Sequence, residues 1–158
     1  MDQLEEQILQ FFDLDIPPKF PELGTNWKHS EAFEETSFFM GKAWDDLSAD
    51  DFEKFTCCHS FFPKQCALYY LGANMFLECS SAVYWTMAMD KLSMDLSLLH
   101  LPKKKIRGFQ PRLLWLWQNM SNAQKSTFMA YLDRINELGE SGAKQIASDI
   151  KSQMVRFH

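Results

Sequence analysis

The sequence predicts an all-α fold, a single compact helical domain of about five to seven helices around a central apolar helix or helix pair. Apolar residues recur at helical spacing along most of the chain. The 158 residues include only six glycines and six prolines, too few for a β fold with many tight turns. Hydrophobic residues make up 46% of the chain, which excludes a disordered protein.

The densest apolar stretch, residues 61–90, is expected to form the centre of the core. Lys64, Glu78 and Asp90 divide it into runs shorter than the roughly 20 apolar residues that a membrane span requires. We therefore expect a buried helix or a pair of helices, and no membrane partner. The sequence leaves both forms open, because Ser80-Ser81 is compatible with a break or with a continuous helix.

The N-terminal residues 1–29 are expected to form a helix over Asp2–Phe12 followed by a proline-rich connector. Acidic residues in the first turn favour the start of this helix. The Pro17-Pro18 pair blocks helix in the connector. Residues 30–158 are expected to form the helical core of the same domain.

Capping residues mark the next helix starts. Ser30 is predicted to cap a helix that runs to about Met40. Ser48 and Asp51 resemble a capping box, and its helix is expected to run to about His59. Both predictions use only local residue order and helical spacing.

The C-terminal half continues this pattern. A short segment rich in leucine and tryptophan is predicted at Arg112–Trp117. Ser121 and Gln124 form a second capping box, and Gly139 is expected to end its helix. An amphipathic helix over Ser141–Val155 completes the chain.

Charge is distributed unevenly along the chain. Residues 1–55 carry 14 Asp and Glu against 4 Lys and Arg, whereas residues 56–158 carry 7 against 12. The acidic half disfavours nucleic-acid binding, because phosphate contacts require basic groups. It suits a basic protein partner. The short basic run Lys103–Arg107 is interpreted as a solvated loop, since it has no interleaved aromatic residues.

The four cysteines are Cys57, Cys58, Cys66 and Cys79, and they lack the regular spacing of a disulfide framework. We expect reduced core thiols in a cytoplasmic protein, since the acidic start of the chain does not resemble a signal peptide. Cys57, Cys58 and Cys66 form, with His59, the only cluster that resembles a metal or nucleophile site. Adjacent cysteines do not readily face one tetrahedral ion. We therefore predict no metal, no cofactor and no catalytic residue.

Carboxylates concentrate around the predicted helix starts between residues 30 and 54, beside a tryptophan. Such groups would steer a basic partner, and the tryptophan would supply a desolvated anchor. Capping and helix-dipole effects explain the aspartates more simply, and this alternative stays open. The candidate partner-binding residues are Glu34, Glu35, Trp44, Asp45, Asp46, Asp50 and Asp51.

Several short motifs follow one another in a recognisable order. They are Phe39-Met40-Gly41, Trp44-Asp45-Asp46-Leu47-Ser48, Phe61-Phe62-Pro63, Tyr69-Tyr70-Leu71, and Ser121-Asn122-Ala123-Gln124 opening a helix with Phe128 and Leu132. Over about residues 30–138, this order resembles a family of small all-helical bacterial proteins of unassigned function. Some members of that family look like toxin-immunity proteins. The resemblance implies an immunity function and transfers no catalytic residue.

The leading hypothesis is a cytoplasmic immunity protein that binds a cognate bacterial toxin and neutralises it by occlusion. The second hypothesis is a helical regulatory or small-ligand-binding module, with the ligand held between helices. The third is an enzyme of an unrecognised type that uses Cys58, His59 or Cys66. No active-site motif favours the third hypothesis over the first.

Overall fold

The computed structural model describes residues 1–13, 30–94, 96 and 110–157. These residues form α-helices and two short 3-10 helices, without a strand, which confirms the predicted all-α class. The α-helices are α1 (Gln3–Phe12), α2 (Glu31–Thr36), α3 (Ala49–Lys54), α4 (Cys58–Phe61), α5 (Lys64–Ser81), α6 (Met87–Met94), α7 (Arg112–Gln118), α8 (Asn122–Leu138) and α9 (Ser141–Val155). The 3-10 helices are Ser37–Phe39 and Trp44–Asp46.

Helix α5 is the centre of the core. Eleven of its 18 residues are buried, because it is apolar around most of its circumference. It ends at Ser81, and Ala82 then takes a left-handed conformation with φ 52°. The chain resumes as α6 at Met87. The apolar stretch 61–90 therefore contains two separate main helices, which decides the alternative that the sequence left open.

Helix α1 covers α5 and joins it to the two C-terminal helices. Helix α1 packs against α5 and α8, and α8 packs against α9. Gly72 allows the closest of these approaches, since a Cβ there would lie 2.3 Å from Phe12 Cβ and 2.8 Å from Trp44 Cζ2. The buried apolar residues of these helices belong to one hydrophobic cluster. None of the described helices has the combined length and hydropathy that a membrane span requires.

Two of the predicted helices are shorter than expected. The helix that Ser30 caps ends at Thr36 and continues as the 3-10 turn, and the helix expected to reach His59 ends at Lys54. The described residues therefore form nine α-helices, more than the five to seven expected. The second break has a tertiary cause: the Glu35 carboxylate accepts the Cys57 N–H at 3.0 Å, which replaces an intrahelical hydrogen bond.

The predicted helix starts with local capping partners are confirmed. The Ser48 N–H donates to Asp51 Oδ2 at 2.8 Å, and the Ser121 N–H donates to Gln124 Oε1 at 2.9 Å. Gly139 ends α8, and α9 covers the predicted range Ser141–Val155. The predicted proline-rich connector, after its first residue, and the predicted basic loop lie outside the described residues.

Substitution of Gly72 by alanine tests the close packing of α1 on α5. The added Cβ would lie 2.3 Å from Phe12 Cβ, which is attached directly to the backbone of α1, and 2.8 Å from Trp44 Cζ2. We expect Gly72→Ala to lower the free energy of unfolding by about 1–3 kcal/mol, the usual range for an overpacked core. Urea unfolding followed by circular dichroism measures the change.

Ala82→Gly is the matched control, since it removes a Cβ methyl group whereas Gly72→Ala adds one. Ala82 is exposed and left-handed, so glycine removes backbone strain there. We expect this variant to raise the free energy of unfolding by about 1 kcal/mol. A stable Gly72→Ala variant would show that α1 and Trp44 do not contact α5 as described.

Candidate functional site

An aromatic cluster lies within the part of the chain that carries the candidate residues. Phe39 is fully buried at its centre. Five other rings lie with their centroids 5.1–5.5 Å from the Phe39 ring, and they belong to Phe38, Phe52, Phe55, Phe62 and Tyr70. Because these rings come from the 3-10 helix Ser37–Phe39, from α3 and α5, and from the segments between α3 and α5, they hold residues 37–62 in a fixed arrangement.

Hydrogen bonds from α5 fix the turn that precedes the predicted acidic site. The Tyr70 hydroxyl lies 2.6 Å from the Phe39 carbonyl oxygen and 3.1 Å from that of Lys42, so one donor serves both ends of the turn. Gly41 has φ 73°, a left-handed conformation that glycine adopts without strain. The Trp44 indole N–H donates to the Tyr69 carbonyl oxygen at 3.1 Å.

Trp44 lies in the core and not on the surface. Only 5% of it is exposed, and its ring packs 5.7 Å from that of Phe76. The expectation of a tryptophan anchor for a partner is therefore corrected. An apolar residue at helical spacing looks the same in sequence whether it faces the core or a partner. Here the buried carbonyl of α5 satisfies the indole N–H, and this allows the whole ring to be buried.

Three of the predicted carboxylates stabilise the backbone. Glu35 accepts the Cys57 N–H, Asp46 accepts the Ala43 N–H at 3.1 Å, and Asp51 caps α3. Their negative charge remains near the surface, but their geometry is set by these hydrogen bonds. The capping explanation for the aspartates is therefore confirmed for Asp46 and Asp51.

The other three predicted carboxylates are exposed: Glu34, Asp45 and Asp50. Within the described part of the chain, no hydrogen bond or ion pair engages their side chains. Residues 30–54 carry eight Asp and Glu against two Lys, a net charge of −6 (2 − 8). We call this segment the acidic flank. Met40, which was not among the predicted partner-binding residues, is 44% exposed within it.

A buried polar cluster lies at the other end of α5, and we define it as His59, Asn74, Glu78, Thr86 and Tyr131. Its centre is the Glu78 carboxylate, which is 0% exposed. Glu78 Oε2 accepts the Thr86 N–H at 2.7 Å, and Glu78 Oε1 accepts the Tyr131 hydroxyl. The cluster thus connects α5, the start of α6, and α8.

Asn74 extends the cluster to α4. Its Nδ2 donates to Thr86 Oγ1 at 2.9 Å, and its Oδ1 lies 2.8 Å from His59 Nε2. Since Oδ1 only accepts, the His59 ring carries its proton on Nε2. His59 Nδ1 is buried and has no partner in the described structure. The ring stacks on Phe52 at 5.6 Å with a 7° angle between planes.

Burial shifts the pKa values of Glu78 and His59, two of the ionisable groups of this cluster, in opposite directions. It raises the pKa of Glu78 to about 7, although the hydrogen bonds from Tyr131 and Thr86 oppose the shift. It lowers the pKa of His59 to about 4, with the hydrogen bond to Asn74 opposing. Both groups are therefore destabilised when they carry charge. In the sequence, Glu78 was considered only as a charged residue that interrupts the apolar stretch 61–90. A lone carboxylate within such a stretch was the signal that could have indicated a buried polar cluster.

The thiols next to His59 lie in surroundings that suppress the thiolate. Burial raises the pKa of Cys58 well above its usual range and that of Cys66 to about 11. A nucleophilic cysteine requires the opposite shift. In the described ranges, no three His, Cys, Asp or Glu side chains converge as metal ligands. The arrangement gives the proposed cysteine chemistry no support.

A groove of about 650 Å³ lies between α6 and α9. Its wall is mainly apolar, with Met94, Ile146 and Ile150, and it also includes Asp149 and Arg156. Such a groove has the size of a small-molecule site. Among the described residues, this groove is the observation that supports the small-ligand hypothesis.

The comparisons with known proteins provide no relative from which to transfer a function. No protein-family profile, curated protein or solved structure matches the chain. The resemblance to immunity proteins therefore stays a prediction.

The opposite pKa shifts predict how stability depends on pH. Glu78 binds its proton more tightly in the folded state, so its contribution falls as the pH rises from about 4.5 to about 7. His59 binds its proton less tightly in the folded state, so its contribution rises from about pH 4 to about pH 6.5. The two contributions cancel over most of this range, and the native protein shows little net change from them.

Glu78→Gln should remove the contribution of Glu78 to the pH dependence of stability and leave that of His59. Glutamine keeps the shape of the side chain, and its amide can donate to the Tyr131 hydroxyl. We expect the stability of this variant to rise by up to about 3 kcal/mol from pH 4 to pH 6.5. Urea unfolding at several pH values measures the curve. The same curve for both proteins would mean that Glu78 has an ordinary pKa.

Proposed function

We propose that this protein acts by binding a basic protein partner through its acidic flank. The observation that carries the proposal is the set of three exposed carboxylates, Glu34, Asp45 and Asp50, which no described side chain neutralises. Asp45 and Asp50 project from the segment held by the aromatic cluster and by hydrogen bonds to α5, and Glu34 lies on α2 just before that segment. Such fixed charges need little reorganisation when a partner binds.

The acidic flank favours fast association more than it determines final affinity. A segment with a net charge of −6 attracts a basic surface over roughly one Debye length, about 8–10 Å at moderate salt. The apolar contact that a stable complex needs can come from exposed Met40 within the same segment. Trp44 supports the flank from beneath and does not contact the partner in this arrangement.

The resemblance stated above suggests the class of partner. We propose that the partner is a cognate bacterial toxin, which the protein neutralises in the cytoplasm by covering a basic surface or cleft. The product of a gene adjacent to the one that encodes this chain is the first partner to test.

The second candidate function is a small-ligand module. The α6–α9 groove supports it, because its mixed wall of Ile146, Ile150, Asp149 and Arg156 can contact an amphipathic molecule. Native mass spectrometry of the purified protein distinguishes the two functions. A retained small molecule that protects α6 and α9 from exchange would favour this candidate over the first.

The charge-reversal variant Glu34→Lys/Asp45→Lys/Asp50→Lys tests the acidic flank. Since steering depends on the sign of the flank, we expect the association rate with the adjacent gene product to fall at least about tenfold at low salt. The difference should shrink as the ionic strength rises, because salt screens exposed charges. Surface plasmon resonance at two salt concentrations gives both rates, and a toxicity assay reports protection.

A matched control carries Glu6→Lys, Glu137→Lys and Glu140→Lys. These exposed carboxylates lie on α1, at the end of α8 and just before α9, so the net charge changes equally. We expect near-native association from this control. Equal losses in both variants would show a net-charge effect, and unchanged binding by the first variant would remove the acidic flank from the interface.

A further inference from the structure

The connection between α5 and α6 has an unusual backbone. Ala82 has φ 52° and Trp85 has φ 71°, both in the left-handed region that side chains disfavour. For a residue as bulky as tryptophan this is a real outlier, and it persists only where surrounding contacts hold it. Val83 and Met87 are 40% and 42% exposed, so the segment also presents apolar surface.

The contacts that hold this connection converge on Glu78. Its Oε2 accepts the Thr86 N–H at 2.7 Å and lies 2.9 Å from the Thr86 hydroxyl. Thr86 in turn starts α6, since its carbonyl oxygen accepts the Asp90 N–H at 3.0 Å. The Trp85 indole N–H donates to Asp90 Oδ1 at 3.1 Å. Released from Glu78, the connection would lose the acceptor of the Thr86 N–H and keep only the Thr86 hydroxyl contact with Asn74 as a described side-chain attachment to α5.

We propose that Glu78 is a proton-controlled latch for the Ala82–Thr86 connection: the neutral carboxyl keeps the connection closed, and ionisation favours a state in which the connection lifts and the carboxylate reaches water. Lifting would also relieve the left-handed conformations of Ala82 and Trp85. This inference concerns the internal regulation of the fold and does not rest on the proposed function.

Burial without a counter-charge makes ionisation unfavourable in the closed state. In the described structure, no Lys, Arg or charged His contacts the Glu78 carboxylate. The ionisable groups around it are Tyr131 of α8, which donates to Oε1, His59 of α4, which reaches it through Asn74, and Cys79, the next residue of α5. Cys79 in turn lies within electrostatic range of Arg134, Asp2 and Glu5, and Asp90 of α6 accepts the Trp85 indole N–H on the other side of the connection. Arg134 is paired with Asp2 at 2.7 Å, so its charge is already compensated.

The hydrogen-bond pattern accommodates both protonation states. In the neutral state, Glu78 Oε2–H donates to Thr86 Oγ1, and the Thr86 hydroxyl donates to Asn74 Oδ1 at 3.3 Å. In the ionised state, the Thr86 hydroxyl turns and donates to Glu78 Oε2 instead. The two closed states therefore differ mainly in whether a charge is buried, and only opening returns that charge to water.

The direction of the pH effect follows from linkage. Burial raises the pKa of Glu78 to about 7 in the closed state, whereas a solvated glutamate keeps a value of about 4.3. Opening becomes more favourable as the pH rises between these two values, by up to about tenfold per pH unit. Above pH 7 the carboxyl is ionised in both states, so no further increase follows.

Hydrogen exchange at pH 5 and pH 7, monitored by mass spectrometry, tests the latch. After correction for the intrinsic exchange rate, we expect peptides covering residues 83–90 to open at least tenfold more often at pH 7. Peptides from the middle of α8 should not show this increase, which separates local from global opening. The matched carboxylate control Asp90→Asn should retain the increase, although its connection opens more often at both pH values.

Glu78→Gln should abolish the pH dependence and exchange at both pH values like the native protein at pH 5. A pH-independent native connection, or an increase that survives in Glu78→Gln, would overturn the proposal. If Glu78→Gln does not fold, Tyr131→Phe replaces it. This variant removes one donor to the carboxylate and should move the opening transition to higher pH; an unmoved transition would equally contradict the latch.

Discussion

The rest of the structure depends on one buried carboxylate. Glu78 is fully enclosed and accepts hydrogen bonds from Thr86 at the start of α6 and from Tyr131 of α8. Breaking a buried polar network of this kind leaves unsatisfied groups and costs several times a surface hydrogen bond. The network therefore specifies where α6 and α8 lie on α5 more strictly than apolar packing alone, which tolerates many arrangements of similar volume.

The opposite end of α5 supports the surface that we propose for binding. The Tyr69 carbonyl oxygen accepts the Trp44 indole N–H, and the Tyr70 hydroxyl holds the turn at Gly41 through the carbonyl oxygens of Phe39 and Lys42. The aromatic cluster then fixes the acidic flank above it. One central helix thus positions both features: a polar cluster that orders the core, and a rigid set of exposed carboxylates. The polar cluster determines stability, and the exposed carboxylates offer negative charge to a partner.

The sequence predicted the structural features that depend on residues close together in the chain. The capping boxes at Ser48 and Ser121 form as expected, because both partners lie within one turn. The break after Lys54 was missed, since the carboxylate that accepts the Cys57 N–H comes from Glu35, far along the chain. Burial of Trp44 was also missed, because helical spacing does not tell a core face from a partner face. The polar cluster joins four separate segments, and no local pattern reveals such a meeting.

The central claim is that burial of Glu78 without a counter-charge orders the core. An NMR titration of the glutamate carboxyl carbons, with Glu78→Gln for assignment, measures it most directly. We predict one carboxyl with a midpoint near pH 7, whose titration also shifts the Thr86 amide signal. Titration of every glutamate near its usual value of about 4.3 would contradict the claim.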